Sequence, residues 1–172
     1  MKISRTFFAQ LIFLLAFQLL VFNNLNLDHR IIVKIYYLPL LFLPLSIEKS
    51  RLYVFAFLLA LGLDFLEGSY GLNTFSILIL LAVRNRFCDF FLDAGERKEI
   101  NYLTDKTLGL SYFILFLGIS TFTFHSIYFL LESFYVMSVQ DMLSSVLFSS
   151  SLSLLINLLM ALIFLDRLTA NE

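Results

Sequence analysis

Six apolar runs constrain the fold of this chain more than any other feature. Short polar connections separate them, and none shows the alternation of a half-buried strand. A straight helix needs about 20 residues to cross a bilayer, at about 1.5 Å per residue. The runs cover residues 6–22, 31–47, 52–66, 71–83, 108–131 and 142–165. The sequence therefore predicts an all-α integral membrane protein with six transmembrane helices in a single domain, 1–172.

The composition agrees with a membrane location. Hydrophobic residues make up 60% of the chain, whereas soluble domains average about 45–50%. A net charge of −1 gives no reason to expect nucleic acid as a partner. The single cysteine, Cys88, excludes an internal disulfide and a cysteine-cluster metal site. The first run is followed by Phe22-Asn23-Asn24-Leu25, which offers no signal-peptidase site, so we expect it to remain as the first span.

The distribution of Lys and Arg predicts the orientation. Ten of them lie at the two ends of the chain, in the second connection or in residues 84–106, and two lie near the first connection. Both termini are therefore expected to be cytoplasmic. The short runs 52–66 and 71–83 are expected to form a hairpin with an outward-facing turn. Apolar residues on one side of 84–106 predict a cytoplasmic amphipathic loop, with a plain solvated loop as the alternative.

Two carboxylates stand out at the hairpin, among Gly62, Gly68 and Gly71, which allow a tight reversal or close helix approach. Asp64 and Glu67 are three residues apart and would share a helical face. Paired carboxylates can serve as acid and base, as a cation site or as a proton relay. No nucleophile–base set or phosphate-binding glycine loop accompanies them, so we predict no enzyme activity, no cofactor and no metal. The favoured interpretation is a helix end with acids at the outer membrane boundary, where they reach water.

Small polar residues recur every four positions in the last run, which places them on one helical face. Such a stripe lets helices approach closely and form hydrogen bonds. Packing within the protein is favoured over binding of a partner's helix or lining of a cavity. In the second run, Pro39 and Pro44 predict a kinked packing helix. The stripe consists of Asp141, Ser145, Ser149, Ser153 and Asn157.

A family resemblance rests on the hairpin and its flanks. Leu61-Gly62-Leu63-Asp64, a short acidic turn, Gly71-Leu72-Asn73 and an apolar helix ending in Arg84 resemble the MreD family of bacterial rod-shape-determining membrane proteins. The preceding LPLLFLPL stretch also fits. The resemblance implies a fold similar to the six-helix substrate-binding subunits of energy-coupling-factor transporters. The family-like hairpin positions are Gly62, Asp64, Gly71 and Asn73, and Glu67 joins them as a possible partner contact.

The resemblance also implies a function. MreD-like proteins are non-enzymatic scaffolds of the cell-elongation machinery in the bacterial inner membrane. They maintain cell shape by organising peptidoglycan synthesis with MreC-like single-span proteins. Through these they connect indirectly to MreB, RodA and a class B penicillin-binding protein. The similar fold supplies the alternative, a substrate-binding membrane subunit of a vitamin-type transporter. For either function, membrane lipid is the expected environment.

Overall fold

The computed structural model describes residues 5–25, 31–92, 102–134 and 138–169, with side chains described between 8 and 163 of these ranges. Helices are the only regular secondary structure in this part of the chain. A short 3-10 turn, Phe22–Asn24, follows the first helix. The helices are α1 Arg5–Leu20, α2 Leu38–Leu41, α3 Lys49–Glu67, α4 Leu72–Phe91, α5 Asp105–Leu108, α6 Leu110–Ser133 and α7 Val139–Thr169.

The second apolar run departs most from prediction. A helix over 31–47 is wrong, because only Leu38–Leu41 is helical there. Pro39 lies at the start of this single turn, where its missing N–H is tolerated. Pro44 cannot donate the next helical hydrogen bond, and the chain leaves the helix before it. The run is nevertheless buried throughout residues 33–44.

We call residues 31–47 the irregular segment. It crosses the bundle although only one turn of it is helical. The carbonyl oxygen of Ile32 lies 3.2 Å from Nε2 of His125 in α6. Farther along, Phe42 stacks on Phe113 with ring centroids 5.9 Å apart. Twelve residues of α6 separate the two contacts, which is about 18 Å along the helix axis. The segment therefore runs antiparallel to α6 over more than half the depth of a bilayer.

Helices α3 and α4 are longer than the short apolar runs that predict them. They have 19 and 20 residues and form a close antiparallel hairpin. Helix α4 includes Arg84–Phe91, which the sequence assigns to a cytoplasmic loop. Phe87 and Leu92 are buried and Phe90 is exposed, so these side chains do not form one interfacial face. Residues 93–101 of the predicted loop lie outside the described ranges.

Within the described ranges, two helices are long and apolar enough to cross a membrane. They are Leu110–Ser133 and the Val139–Ile163 part of α7. Large apolar side chains are also exposed along the other long helices, including Ile12 in α1, Leu58 in α3 and Phe75 in α4. Extended exposed apolar surface is unusual for a monomeric soluble protein. The fold is thus a helical bundle with two candidate spans and an apolar exterior.

Left-handed backbone conformations close the hairpin. Gly68 ends α3 at φ 67° and Gly71 precedes α4 at φ 93°. Gly62, by contrast, lies inside α3, and a methyl group added to its Cα would meet no heavy atom within 4 Å. The sequence-based expectation that Gly62 permits close helix packing is therefore wrong.

We expect Gly71→Ala to destabilise the protein by about 1 kcal/mol, because a side chain disfavours positive φ. Gly62→Ala should instead be neutral or stabilising by up to about 1 kcal/mol, since alanine is the better helix former. Free energies of unfolding measured by SDS titration in mixed micelles would check both. Equal effects of the two substitutions would contradict the assignment of different roles.

Candidate functional site

The buried irregular segment has its backbone satisfied by side chains from two sides. Gln18 of α1 accepts a hydrogen bond from the Ile35 N–H and donates one to the Val33 carbonyl, both at 2.9 Å. From α7, Ser149 accepts from the Ile32 N–H at 3.0 Å, and Ser153 accepts from the Lys34 N–H at 3.3 Å. The alternation of partners is that of an extended chain.

The polar stripe of α7 therefore packs inside the protein. Ser145, Ser149, Ser153 and Asn157 are all buried. Asn157 donates to the Tyr37 hydroxyl at 2.9 Å and to the Lys34 carbonyl at 3.4 Å. These contacts replace the strand or helix partner that the segment lacks. A partner's transmembrane helix has no access to the stripe in this arrangement.

Asp141 differs from the rest of the stripe. It lies in the first turn of α7 and is only partly buried. Ser138 donates to its carboxylate at 2.8 Å, and its own N–H donates to Ser138 Oγ at 3.2 Å. A serine and an acid at this spacing stabilise a helix N-terminus. Asp141 thus belongs to the start of α7 rather than to the buried contact.

The stripe offers a prediction with a matched control. Ser153→Ala should lower the free energy of unfolding by about 1 kcal/mol, because the Lys34 N–H then lacks its acceptor. Ser151→Ala, two residues away on the exposed side of α7, should change stability by less than about 0.5 kcal/mol. Unfolding in mixed micelles would measure the difference, and indistinguishable variants would argue against the role given to Ser153.

Asp64 is buried, which corrects its predicted place at a water-exposed boundary. Its side chain is 5% exposed. One carboxylate oxygen accepts from the Asn73 N–H at 2.9 Å and from Ser69 Oγ at 2.6 Å. The other accepts from the N–H of Thr74 at 2.9 Å and from its hydroxyl. Because Gly71 has no side chain to cap α4, Asp64 of α3 caps it instead.

Glu67 forms an ion pair that the sequence did not reveal. Its Oε2 lies 2.6 Å from Nζ of Lys34, and the two side chains are 8% and 4% exposed. The same oxygen accepts from Asn73 Nδ2 at 2.7 Å, while Oε1 accepts from Asn23 Nδ2 at 2.9 Å. The Tyr36 hydroxyl donates to Asn73 Oδ1 at 2.6 Å. The hairpin is therefore tied to the irregular segment and to the end of α1.

These residues form one hydrogen-bonded unit, which we call the hairpin network. It joins three predicted site residues, because Asn73 donates to Asp64 through its N–H and to Glu67 through its side-chain amide. Gly71 contributes the backbone turn, and Gly62 lies outside the unit. No pattern in the sequence marks its remaining members, which are Asn23, Lys34, Tyr36, Ser69 and Thr74.

At the opposite end of the bundle, Arg84 is buried within α4. Its guanidinium donates through Nε to the Leu41 carbonyl at 2.9 Å and through a second nitrogen to the Leu43 carbonyl. It thereby satisfies the carbonyl groups where the short helix α2 ends. Arg84 is a structural anchor for the irregular segment. The prediction that it belongs to the cytoplasmic amphipathic loop 84–106 is therefore wrong for Arg84.

An open cleft lies beside the hairpin network. Its volume is about 620 Å³, and its walls come from the hairpin turn and the end of α6. Tyr70, in the turn, is 99% exposed and has a φ of 50°. The residues that line the cleft are Glu67, Gly68, Ser69, Tyr70, Leu72, Tyr128 and Glu132.

The two carboxylates of the hairpin have structural roles. Asp64 and Glu67 are held as acceptors of several hydrogen bonds, so their oxygens are committed to the fold. In the described ranges, no group of three or more His, Cys, Asp or Glu side chains is placed to hold a metal ion.

Comparison with protein-family models, with curated proteins and with solved structures gives no match. Function is therefore argued from the geometry of the chain.

Proposed function

We propose that this protein is a non-enzymatic scaffold of the cell-elongation machinery in the bacterial inner membrane. In this role it organises peptidoglycan synthesis with an MreC-like partner and, through it, with MreB, RodA and a class B penicillin-binding protein. The observation that carries the proposal is the hairpin network. It holds the turn between α3 and α4 by hydrogen bonds and leaves Tyr70 fully exposed at its tip. The resemblance to MreD-like sequences centres on the same hairpin.

The proposed membrane arrangement has six crossing segments. Five are helices and the irregular segment is the sixth, since its backbone groups are satisfied by protein side chains rather than by lipid-exposed hydrogen bonds. The exposed apolar side chains of the helices then face lipid. The excess of Lys and Arg puts both termini in the cytoplasm and the hairpin turn on the outer side.

Co-expression with the MreC-like protein of the same bacterium tests the proposal. Wild-type protein should co-purify with it from mild detergent, and depletion should change cell width. Tyr70→Asn should reduce co-purification at least about fivefold, because exposed aromatic side chains are frequent binding anchors. Asparagine tolerates positive φ, so the turn should persist. Tyr112→Asn, an exposed tyrosine near the start of α6, is the control; absence of the complex and normal cell width would refute the proposal.

The cleft favours a second candidate, a substrate-binding subunit of a vitamin-type transporter. Its volume of about 620 Å³ lies within the range of small-molecule sites. This function requires a small molecule that stays bound through mild purification. Mass spectrometry of the purified protein would detect such a ligand. Its presence, together with failure to bind an MreC-like protein, would favour the transporter function over the scaffold.

A further inference from the structure

One carboxylate of the cleft lacks the compensation that the others have. Glu132 lies at the end of α6, and its Oε2 is buried without a hydrogen-bond partner among the described residues. Asp64, in contrast, accepts four hydrogen bonds, and Glu67 has Lys34 and two asparagine amides. A buried carboxylate oxygen without a donor is costly. A cationic group entering the cleft would remove this cost.

The walls of the cleft suit a cation. Tyr128 precedes Glu132 by four residues and so lies on the same face of α6. Tyr70, in the hairpin turn, also lines the cleft. Aromatic rings beside a carboxylate attract guanidinium and ammonium groups. The Tyr128 ring already lies 5.6 Å from Nζ of Lys34.

The acidic side chains that line the cleft outnumber the basic side chains that neutralise them. Lys34 is buried beside the Tyr128 ring and does not line the cleft, and its 2.6 Å ion pair with Glu67 neutralises that carboxylate. Glu132 remains, so the described residues around the cleft carry an excess negative charge. Large apolar side chains are exposed next to the lining residues in the chain, since Leu66 precedes Glu67 and Phe134 follows Glu132 by two residues. The surface therefore fits a basic side chain carried on an apolar segment.

We propose that the cleft receives a lysine or arginine side chain from the outer end of a partner's transmembrane helix. The basic group lies between the Tyr70 and Tyr128 rings and donates to the Glu132 carboxylate. The apolar part of that helix packs beside Leu66 and Phe134. The identity of the partner rests on the proposed scaffold function, whereas the electrostatics of the cleft do not.

A first experiment tests the cleft without any partner. Leu72, which lines the cleft, is changed to cysteine in a Cys88→Ala background, and reaction with cationic and anionic methanethiosulfonate reagents is timed in detergent. We expect Glu132→Gln to lower the ratio of cationic to anionic rates by about threefold to tenfold. Glu48→Gln, which removes an exposed carboxylate, is the control and should leave the ratio unchanged. An unreactive thiol in the Leu72→Cys variant, or a ratio insensitive to Glu132, overturns the proposal.

A second experiment tests the occupant. Glu132→Lys should weaken co-purification with the MreC-like protein at least about tenfold. Changing the basic residue at the outer end of the partner's helix to glutamate should restore it. Unchanged co-purification with Glu132→Lys overturns the proposed occupant and, where the first experiment succeeds, assigns the cleft to a small cation. If the wild-type proteins do not associate at all, the scaffold function fails, and the first experiment alone still decides whether the cleft accepts a cation.

Discussion

Lys34→Met should be among the most destabilising single substitutions in this protein. The ion pair of Lys34 and Glu67 is 2.6 Å long, with side chains 4% and 8% exposed. Methionine retains most of the apolar volume between the Tyr36 and Tyr128 rings, so the main loss is the charge. Removing one member of a buried pair leaves the other uncompensated and costs about 3–5 kcal/mol. The free energy of unfolding in mixed micelles should fall by that amount.

Two controls separate the charge effect from lost packing. In the double variant Lys34→Met/Glu67→Gln, the carboxylate that the loss of Lys34 leaves unpaired is also removed, and a large part of the lost stability should return. Arg51→Met removes the exposed pair of Arg51 with Glu48, whose side chains are 82% and 64% exposed. That change should lower the free energy of unfolding by less than about 1 kcal/mol. If Lys34→Met and Arg51→Met have equal effects, the pair does not stabilise the fold as described.

The sequence predicts the helical class because apolar runs and their periodicity are local properties. The stripe of α7 is likewise visible as a four-residue repeat, and three serines of it are buried. What the stripe contacts cannot be read from the repeat. The prediction assumed another helix, whereas Ser149 and Ser153 bind the backbone of a segment more than a hundred residues away.

The second run was misassigned for a physical reason. Hydrophobicity records burial, and a buried chain need not be a helix when side chains can satisfy its backbone. Gln18 and Asn157 supply that compensation from α1 and α7. Pro39 and Pro44 were the sequence signal against a continuous helix, but proline is also compatible with a kinked helix. Whether this run forms a helix or an irregular buried segment depends on contacts between distant parts of the chain.

The candidate site, too, could be predicted from the sequence only in part. Asp64, Glu67 and Asn73 attract notice because polar groups are rare beside apolar runs. Lys34 and Arg84, however, read as interruptions or loop charges, although both are buried anchors of the irregular segment. Their roles appear only when the segment is placed between the helices. Burial of Asp64 has a local cause, since the hairpin turn folds over its carboxylate and supplies its partners Ser69, Asn73 and Thr74.

Asp64→Ala should destabilise the protein by about 2–4 kcal/mol, because a helix cap and the acceptors of buried donors are lost together. Asp64→Asn retains one carbonyl oxygen but loses the charge at the N-terminus of α4, so a smaller loss, about 1–2 kcal/mol, is expected. The order alanine, asparagine, wild type in increasing stability is the expected result of unfolding measurements in mixed micelles.

A local measurement decides whether Asp64 acts through the cap. The amides of Asn73 and Thr74 donate to its carboxylate at 2.9 Å. Their hydrogen exchange should accelerate in Asp64→Ala by more than the global loss of stability explains, because these amides lose their acceptor directly. Amides of α7 should follow the global change alone. Equal acceleration in α4 and α7 would mean that Asp64 stabilises the bundle by packing or charge rather than by capping α4, and the hairpin turn that displays Tyr70 would then need another support.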